Sequence, residues 1–187
     1  MTRVFFVRHA QPDNQWEDDR TRPLTPLGKE DSKLVASILS KFPIDVFYSS
    51  PYKRSKDTIA GCARIFKMEV HTDESFRERK SGENSGNFLE KRWTDFNFCE
   101  KNGESLNSVQ QRNVKALKEI LDLYKNKNIV IGTHGTALST ILNYYDSSFD
   151  CDGFKRIWYC MPYIIRLDFE NGAVCAKEEL LSIKRGY

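Results

Sequence analysis

Three short stretches carry residues able to do chemistry just where an apolar run ends. The run Val4 to Val7 breaks into Arg8-His9, a guanidinium beside an imidazole. Ser49-Ser50-Pro51 leads within a few residues to Arg54. The run at 128–132 ends in Thr133-His134-Gly135, with a second imidazole. The chain holds only three histidines, so two in such places stand out. Two guanidiniums and a helix N-terminus make a receptor for a dianion, with phosphate the natural candidate. An imidazole inside that receptor can attack phosphorus when its nitrogen is unprotonated. Surrounding positive charge keeps His9 neutral and stabilises a transferring phosphoryl group. Taken singly, His9 fits a satisfied structural histidine, Arg54 a surface helix cation, and His134 a helix start. The combination is what argues for a site. His71 sits in an expected strand without comparable neighbours and is read as structural.

These residues need elements that bring them together. Residues 3–7 read as a buried strand, β-branched and aromatic without alternation. Thr25 can cap a helix that Pro26 begins, with Leu34, Val35, Ile38, Leu39 and Phe42 as its apolar stripe. Asp45 to Ser49 form a second strand; Ser50 caps and Pro51 starts the next helix, which places Arg54 in its first turn. "MEVHT" reads as a third strand. Leu106, Val109, Leu117, Ile120, Leu121 and Tyr124 fall on one helical face. "NIVIGTHG" is a strand that stops at Gly132, followed by a helix in "TALSTILNYY". "RIWYCMPYIIRLDF" and "AVCAKEELLSI" read as strands joined by an Asn171-Gly172 turn. Strand-helix alternation predicts an α/β fold, a three-layer α/β/α sandwich with a mostly parallel central sheet. Ligands bind such sheets beyond the carboxyl ends of the strands, which is where the three stretches lie.

Residues 76–104 interrupt the alternation. This stretch is charged, Gly-dotted and aromatic, with a short helix expected near Leu89 to Phe96. It is read as an excursion that covers the active site, within a single domain over 1–187. Its aromatics Phe88, Trp93, Phe96 and Phe98 suit either a covered pocket or a local core.

Bulk properties set limits. A chain of 187 residues with 40% hydrophobic and 29% charged side chains builds a globular core. Net charge is +3, from scattered basic residues, which fits small anions and not nucleic acid. The five cysteines lack C-x-x-C spacing, so reduced thiols buried as small apolar groups are expected, with neither disulfide nor zinc. No segment approaches a membrane span or a secretory apolar region, and a cytoplasmic location is expected.

The motifs together resemble the histidine phosphatase superfamily, with its phosphoglycerate mutase-like fold. "VRHAQ" is similar to its Arg-His-Gly/Ala signature. "RPLTPLG", "YSSPYKRSKDT", "FRERKSGENSG", "GES" and "THG" follow in the family's order, from residue 4 to about 142. The resemblance implies that His9 is the nucleophile and becomes a phosphohistidine. It implies that Arg8, Arg54 and His134 hold the phosphoryl oxygens, and that Glu78 protonates the leaving alkoxide and then activates water. Glu78 has a physical case of its own, because an alkoxide is a poor leaving group that needs an acid. Glu83 and Glu90 are its rivals in the excursion. Ala10 stands where glycine is common, and "QPDNQW" replaces the usual continuation, with Gln11 and Asn14 as candidate phosphate contacts. The family's glycine-tryptophan element after the acid is missing.

The expected function is therefore a metal-independent phosphomonoesterase acting on a small phosphorylated metabolite, without cofactor. A phosphoglycerate-type mutase and a protein phosphohistidine phosphatase are the alternatives, and a non-catalytic phospho-ligand binder is the rival of another class. The family's mutases tend to be longer, which favours hydrolysis. Neither the substrate's identity nor an oligomeric state can be read from the residues.

Overall fold

The computed structural model describes residues 1–185. Its strands are β1 (Thr2–Arg8), β2 (Val46–Ser49), β3 (Val70–Thr72), β4 (Asn128–Thr133), β5 (Cys160–Glu170) and β6 (Ala173–Lys184). Its α-helices are α1 (Pro26–Leu39), α2 (Lys53–Ile65), α3 (Leu89–Thr94), α4 (Leu106–Leu123), α5 (Gly135–Tyr145) and α6 (Cys151–Ile157). The strands form one sheet in the order β3-β2-β4-β1-β5-β6. β1, β2, β3 and β4 run parallel, while β5 and β6 add antiparallel at one edge.

Strand β1 shows why the sheet is sandwiched. Val4 and Phe6 pack with Leu117 and Ile120 of α4 and Leu138 and Ile141 of α5. Phe5 and Val7 point the other way, into Val35 and Leu39 of α1 and Ile59 and Cys62 of α2. With both faces covered, an unbroken apolar run is what such a strand needs. Each of these buried side chains contributes about 1.5–3 kcal/mol. The three layers and the mostly parallel sheet match the fold expected from the sequence.

Thr25 caps α1, its hydroxyl accepting from Gly28 N, and Pro26 stands at the first helical position. Asn171 and Gly172, with φ of 51° and 80°, make the β5–β6 turn, as the pair predicted.

Four expectations need correction. The second helix begins at Lys53, so Ser50 does not cap it and Pro51 precedes it. Arg156 and Ile157 belong to α6, and the following strand starts at Cys160. Leu34 is exposed, leaving the α1 stripe narrower than its sequence suggests. All five cysteines are free, but Cys99 and Cys175 are exposed and Cys151 half-buried, so only Cys62 and Cys160 act as buried apolar groups. No helix among the described residues is long and apolar enough to cross a membrane.

Candidate active site

Sheet register brings the three motifs together. Arg8 pairs with Thr133 across β1 and β4, and Ser49 pairs with Gly132 across β2 and β4. His9, Ser50 and His134 are each the next residue along. The pairing continues one step beyond the strands: His9 N donates to Thr133 O at 3.2 Å and Ser50 N to Gly132 O at 2.9 Å. The close approach demands glycine at 132, where a Cβ would lie 2.8 Å from Ser49 Oγ and 2.9 Å from Ser55 Oγ.

The result is a buried cluster of Arg8, His9, Arg54 and His134, none more than 5% exposed. The two imidazoles meet edge to face, with ring centroids 5.1 Å apart. His9 Nδ1 lies 2.8 Å from the carbonyl of Ala10. A carbonyl only accepts, so Nδ1 carries the proton and Nε2 keeps its lone pair. Toward that Nε2 the Nε–H of Arg54 points, at 3.3 Å. Thr58 braces both ends of this contact, accepting from Ala10 N at 3.0 Å and donating to Arg54 O at 2.7 Å.

His134 Nε2 lies 2.8 Å from Ser50 Oγ, and Nδ1 is buried with no hydrogen-bond partner among the described residues. Tyr52 packs edge-on against His134, at 5.1 Å between centroids. Burial holds the His9 pKa well below its ordinary 6.5, with further lowering by Arg54 and Arg8. His134 is lowered in the same way, by burial first and then by Arg54 and His9. Both rings are thus neutral near pH 7.

Arg8 is fixed from behind. Its Nη1 donates to the carbonyls of Ile157 and Trp158 at 2.6 and 2.7 Å, at the C-terminal end of α6. Its guanidinium lies against Gly135, where a Cβ would stand 3.1 Å from Arg8 Cζ. Arg54 Nη1 in turn donates to Asp19 O at 2.6 Å.

Glu78 sits at the N-terminus of α5, beside Gly135. Its Oε2 accepts from Thr136 N at 3.1 Å, and its Oε1 from Ala137 N at 3.1 Å and Arg79 N at 2.7 Å. Such placement satisfies otherwise orphaned helix donors. Its rivals are elsewhere: Glu83 pairs with Lys101 at 3.3 Å and Glu90 pairs with Lys155, both exposed. Gln11 is half-buried, its Oε1 accepting from Thr25 Oγ1 at 2.9 Å. Asn14 is exposed in the following turn and is not part of the cluster. His71 is exposed on β3, its ring tilted against Tyr48.

Several residues of this neighbourhood have no separate signal in the sequence. Asp19 lies on no motif, and Thr58 enters only as the last residue of "YSSPYKRSKDT", with no role read for it. Ser50 appears there in the Ser49-Ser50-Pro51 stretch, with its side chain read as a cap. Glu104, within "GES", accepts from Arg77 Nη1 at 2.7 Å and from Arg112 Nε at 2.8 Å. Those two guanidiniums also hold the carbonyl of Glu78, at 2.9 and 3.3 Å.

Known proteins resemble this chain in sequence and in fold. The chain is 30% identical over 150 residues to phosphoserine phosphatase 1 of Hydrogenobacter thermophilus, covering 72% of this chain and 71% of that protein. It is 28% identical over 149 residues to an uncharacterized phosphatase, PhoE, of Bacillus subtilis, covering 76% of each. Among solved structures, the phosphoserine phosphatase of Entamoeba histolytica in complex with 3-phosphoglyceric acid superposes with a TM-score of 0.80, at 22% identity over 97% of this chain and 98% of that one. Residues 4–177 match the model of the histidine phosphatase superfamily, branch 1, and the chain belongs to that family.

Proposed function

We propose that the chain is a phosphatase that hydrolyses a small phosphomonoester through a phosphohistidine on His9. The observation that carries this reading is the tautomer of His9. Its Nδ1–H is tied to Ala10 O at 2.8 Å, and its lone-pair-bearing Nε2 faces the guanidinium of Arg54. The family match supports a phosphatase, and the Entamoeba structure holds a small phosphorylated acid on the same fold.

In the first step His9 Nε2 attacks phosphorus while the bond from phosphorus to the ester oxygen breaks. The departing alkoxide takes a proton from the Glu78 carboxyl. Arg8, Arg54 and the unpartnered Nδ1 of His134 would face the phosphoryl oxygens. A Ser50 hydroxyl that donates to His134 Nε2 would leave the proton of that ring on Nδ1, ready to donate. In the second step water attacks phosphorus, Glu78 takes its proton, and the bond from phosphorus to nitrogen breaks. Phosphate leaves, and His9 is neutral again. Because both guanidiniums are fixed before substrate arrives, they stabilise the transferring charge without reorganising.

Two variants test this. His9→Ala should abolish hydrolysis of an aryl phosphate, and rapid quenching of the wild type with 32P-labelled substrate should trap an acid-labile, base-stable phosphoprotein. Glu78→Gln should slow alkyl phosphates by about 100-fold to 10,000-fold, the usual span of acid catalysis, and aryl phosphates far less. Wild-type rates in His9→Ala would refute the proposal.

A further inference from the structure

A cavity of about 230 Å³ lies between the antiparallel edge of the sheet and the end of α5, bounded by α6. Ile165 and Leu167 of β5 and Leu142 of α5, all buried, line it together with Val174 of β6 and the half-buried Phe149. The mechanism uses none of these residues. Apolar space left unfilled forfeits dispersion contacts that cores normally make, and cavities lined this way take up benzene-sized molecules. The volume lies below that of sites for drug-sized ligands.

Two ion pairs at this cavity run from the sheet to the helical layer. Lys177 of β6 donates to Asp146, the C-cap residue of α5, at 2.6 Å. Arg156 of α6 donates to both carboxylate oxygens of Glu179 of β6, one of them at 3.1 Å. Each cation has its anion, so the four charges sum to zero and favour neither a cationic nor an anionic occupant. By tying β6 to the helices, the pairs also bar a broad protein surface and admit a small flat molecule.

The cavity bears on α6 at two points. The ring of Phe149 lies against Gly153, where an added Cβ would stand 3.1 Å from it. Arg156 is the other point, and the next two residues, Ile157 and Trp158, are those whose carbonyls hold Arg8 Nη1 at 2.6 and 2.7 Å. With seven residues, α6 is short enough to shift as one rigid piece. A molecule that fits the cavity as it stands binds the arrangement in which those carbonyls hold Arg8, and so favours that arrangement.

We propose that this cavity is a binding site for a small uncharged aromatic molecule, and that its occupation steadies the hold of α6 on Arg8. The second half rests on the phosphatase reading above, in which Arg8 faces the phosphoryl oxygens. Filling the cavity then tightens phosphate binding at the distant site.

The probe is indole, with benzylamine and benzoate as charged counterparts, added to the full-length protein labelled at its methyl groups. Indole should bind with a Kd of about 0.1–1 mM, the range open to so small a ligand. Its ring protons should show nuclear Overhauser contacts to methyls of Leu142, Ile165, Leu167 and Val174. The charged probes should bind at these methyls at least tenfold more weakly. Val174→Phe, which fills the space, should weaken indole at least tenfold and leave hydrolysis without indole within twofold. Saturating indole should lower the inhibition constant of inorganic phosphate about fivefold, and saturating phosphate should tighten indole by the same factor, because coupling is reciprocal. Indole contacts elsewhere, equal binding of a charged probe at these methyls, or unchanged affinity in a folded Val174→Phe would each overturn the site. A dimer of the chain that Val174→Phe dissociates would overturn the small-molecule occupant. Indole seated in the cavity with phosphate affinity unmoved would overturn the link to Arg8. If Val174→Phe does not fold, the contacts and the charged probes decide. Hydrolysis is scored separately. Indole bound by a protein that cleaves no phosphomonoester sinks the phosphatase reading alone, and an active enzyme that ignores indole sinks this inference alone.

Discussion

Asp19 and Arg54 are joined twice: Arg54 Nη1 donates to the Asp19 carbonyl at 2.6 Å and lies 3.0 Å from its carboxylate. The loop carrying Asp19 therefore occupies, with an anion, a guanidinium assigned above to the phosphoryl oxygens. Arg22 pairs with the same carboxylate at 3.1 Å. Incoming phosphate must compete with it. Asp19→Asn keeps the side chain's shape and removes the charge. Since Asp19 is half exposed, the effect is that of a partly screened pair, up to about 1 kcal/mol. KM for a phosphomonoester and the inhibition constant of inorganic phosphate should both fall about three- to fivefold. A rise in both would show instead that Asp19 aims Arg54 at the substrate.

The two buried imidazoles make stability fall on the acid side of neutrality. Both folded-state pKa values lie below the ordinary 6.5, chiefly through burial. Above that pH both rings are neutral in folded and unfolded chains alike, and neither contributes a slope. Below it the unfolded chain takes up protons that the folded chain refuses, so stability declines as pH drops toward the folded values. Each refused proton contributes about 1.4 kcal/mol per pH unit. Urea midpoints measured between pH 7.5 and 5 should decline steadily below 6.5, and the double variant His9→Gln/His134→Gln should flatten much of that decline. The same shift places the acidic limb of kcat/KM, where His9 gains its proton, below 6.5. A limb at or above 6.5 would contradict the neutral nucleophile.

Ser50 illustrates what sequence conveys and what it conceals. The strand ends were legible because fully buried parallel strands read as unbroken apolar runs, so the breaks at Arg8, Ser49 and Thr133 mark where the sheet's carboxyl edge must be. Register then brought His9 and His134 together without any further signal. Ser50 followed by Pro51 looks like a cap, but its hydroxyl serves His134 and accepts from Tyr52 N at 3.2 Å, and the helix starts later. Helix α6 was hidden because its seven residues are too few for periodicity and include Gly153, although Asp150 does cap it. That short helix supplies the carbonyls that fix Arg8. Glu100 pairs with Arg79 and with Arg92 of α3, and ion pairs between a helix and irregular chain leave no spacing rule to read.

Ser50→Ala removes the partner of a buried ring nitrogen. The cost of leaving such a group unsatisfied is about 1–3 kcal/mol of stability. The functional consequence is sharper. Without a hydroxyl proton at Nε2, His134 is no longer held with its own proton on Nδ1, and donation to the phosphoryl group weakens. Ser50→Ala should lower kcat about tenfold or more for aryl and alkyl phosphates alike, since both transfer the same group. Ser50→Thr, which retains a hydroxyl, should recover part of it. Equal rates in Ser50→Ala and the parent would show that the Nδ1 proton needs no such help.

Glu104 acts on Glu78 at one remove. It orients Arg77 and Arg112, which hold the carbonyl of Glu78, while Arg112 also bonds the carbonyls of Ser75 and Arg77 at 2.5 and 2.9 Å. Partial burial raises the Glu104 pKa, but bonds from Arg112 and Arg77 outweigh it and bring the value down from the ordinary 4.5 to about 2. A depressed carboxylate stabilises the fold above pH 4.5, and this contribution fades as pH falls from 4.5 toward 2. By linkage it amounts to about 3 kcal/mol at neutral pH. Glu104→Gln should therefore destabilise the protein by a similar amount at pH 7 and by much less near pH 3. Because the chain around residue 78 loosens, proton donation should suffer more than phosphoryl binding. The ratio of kcat for alkyl over aryl phosphates should fall at least fivefold, with KM for the aryl ester moving less. Loss of stability with that ratio intact would confine Glu104 to holding the fold.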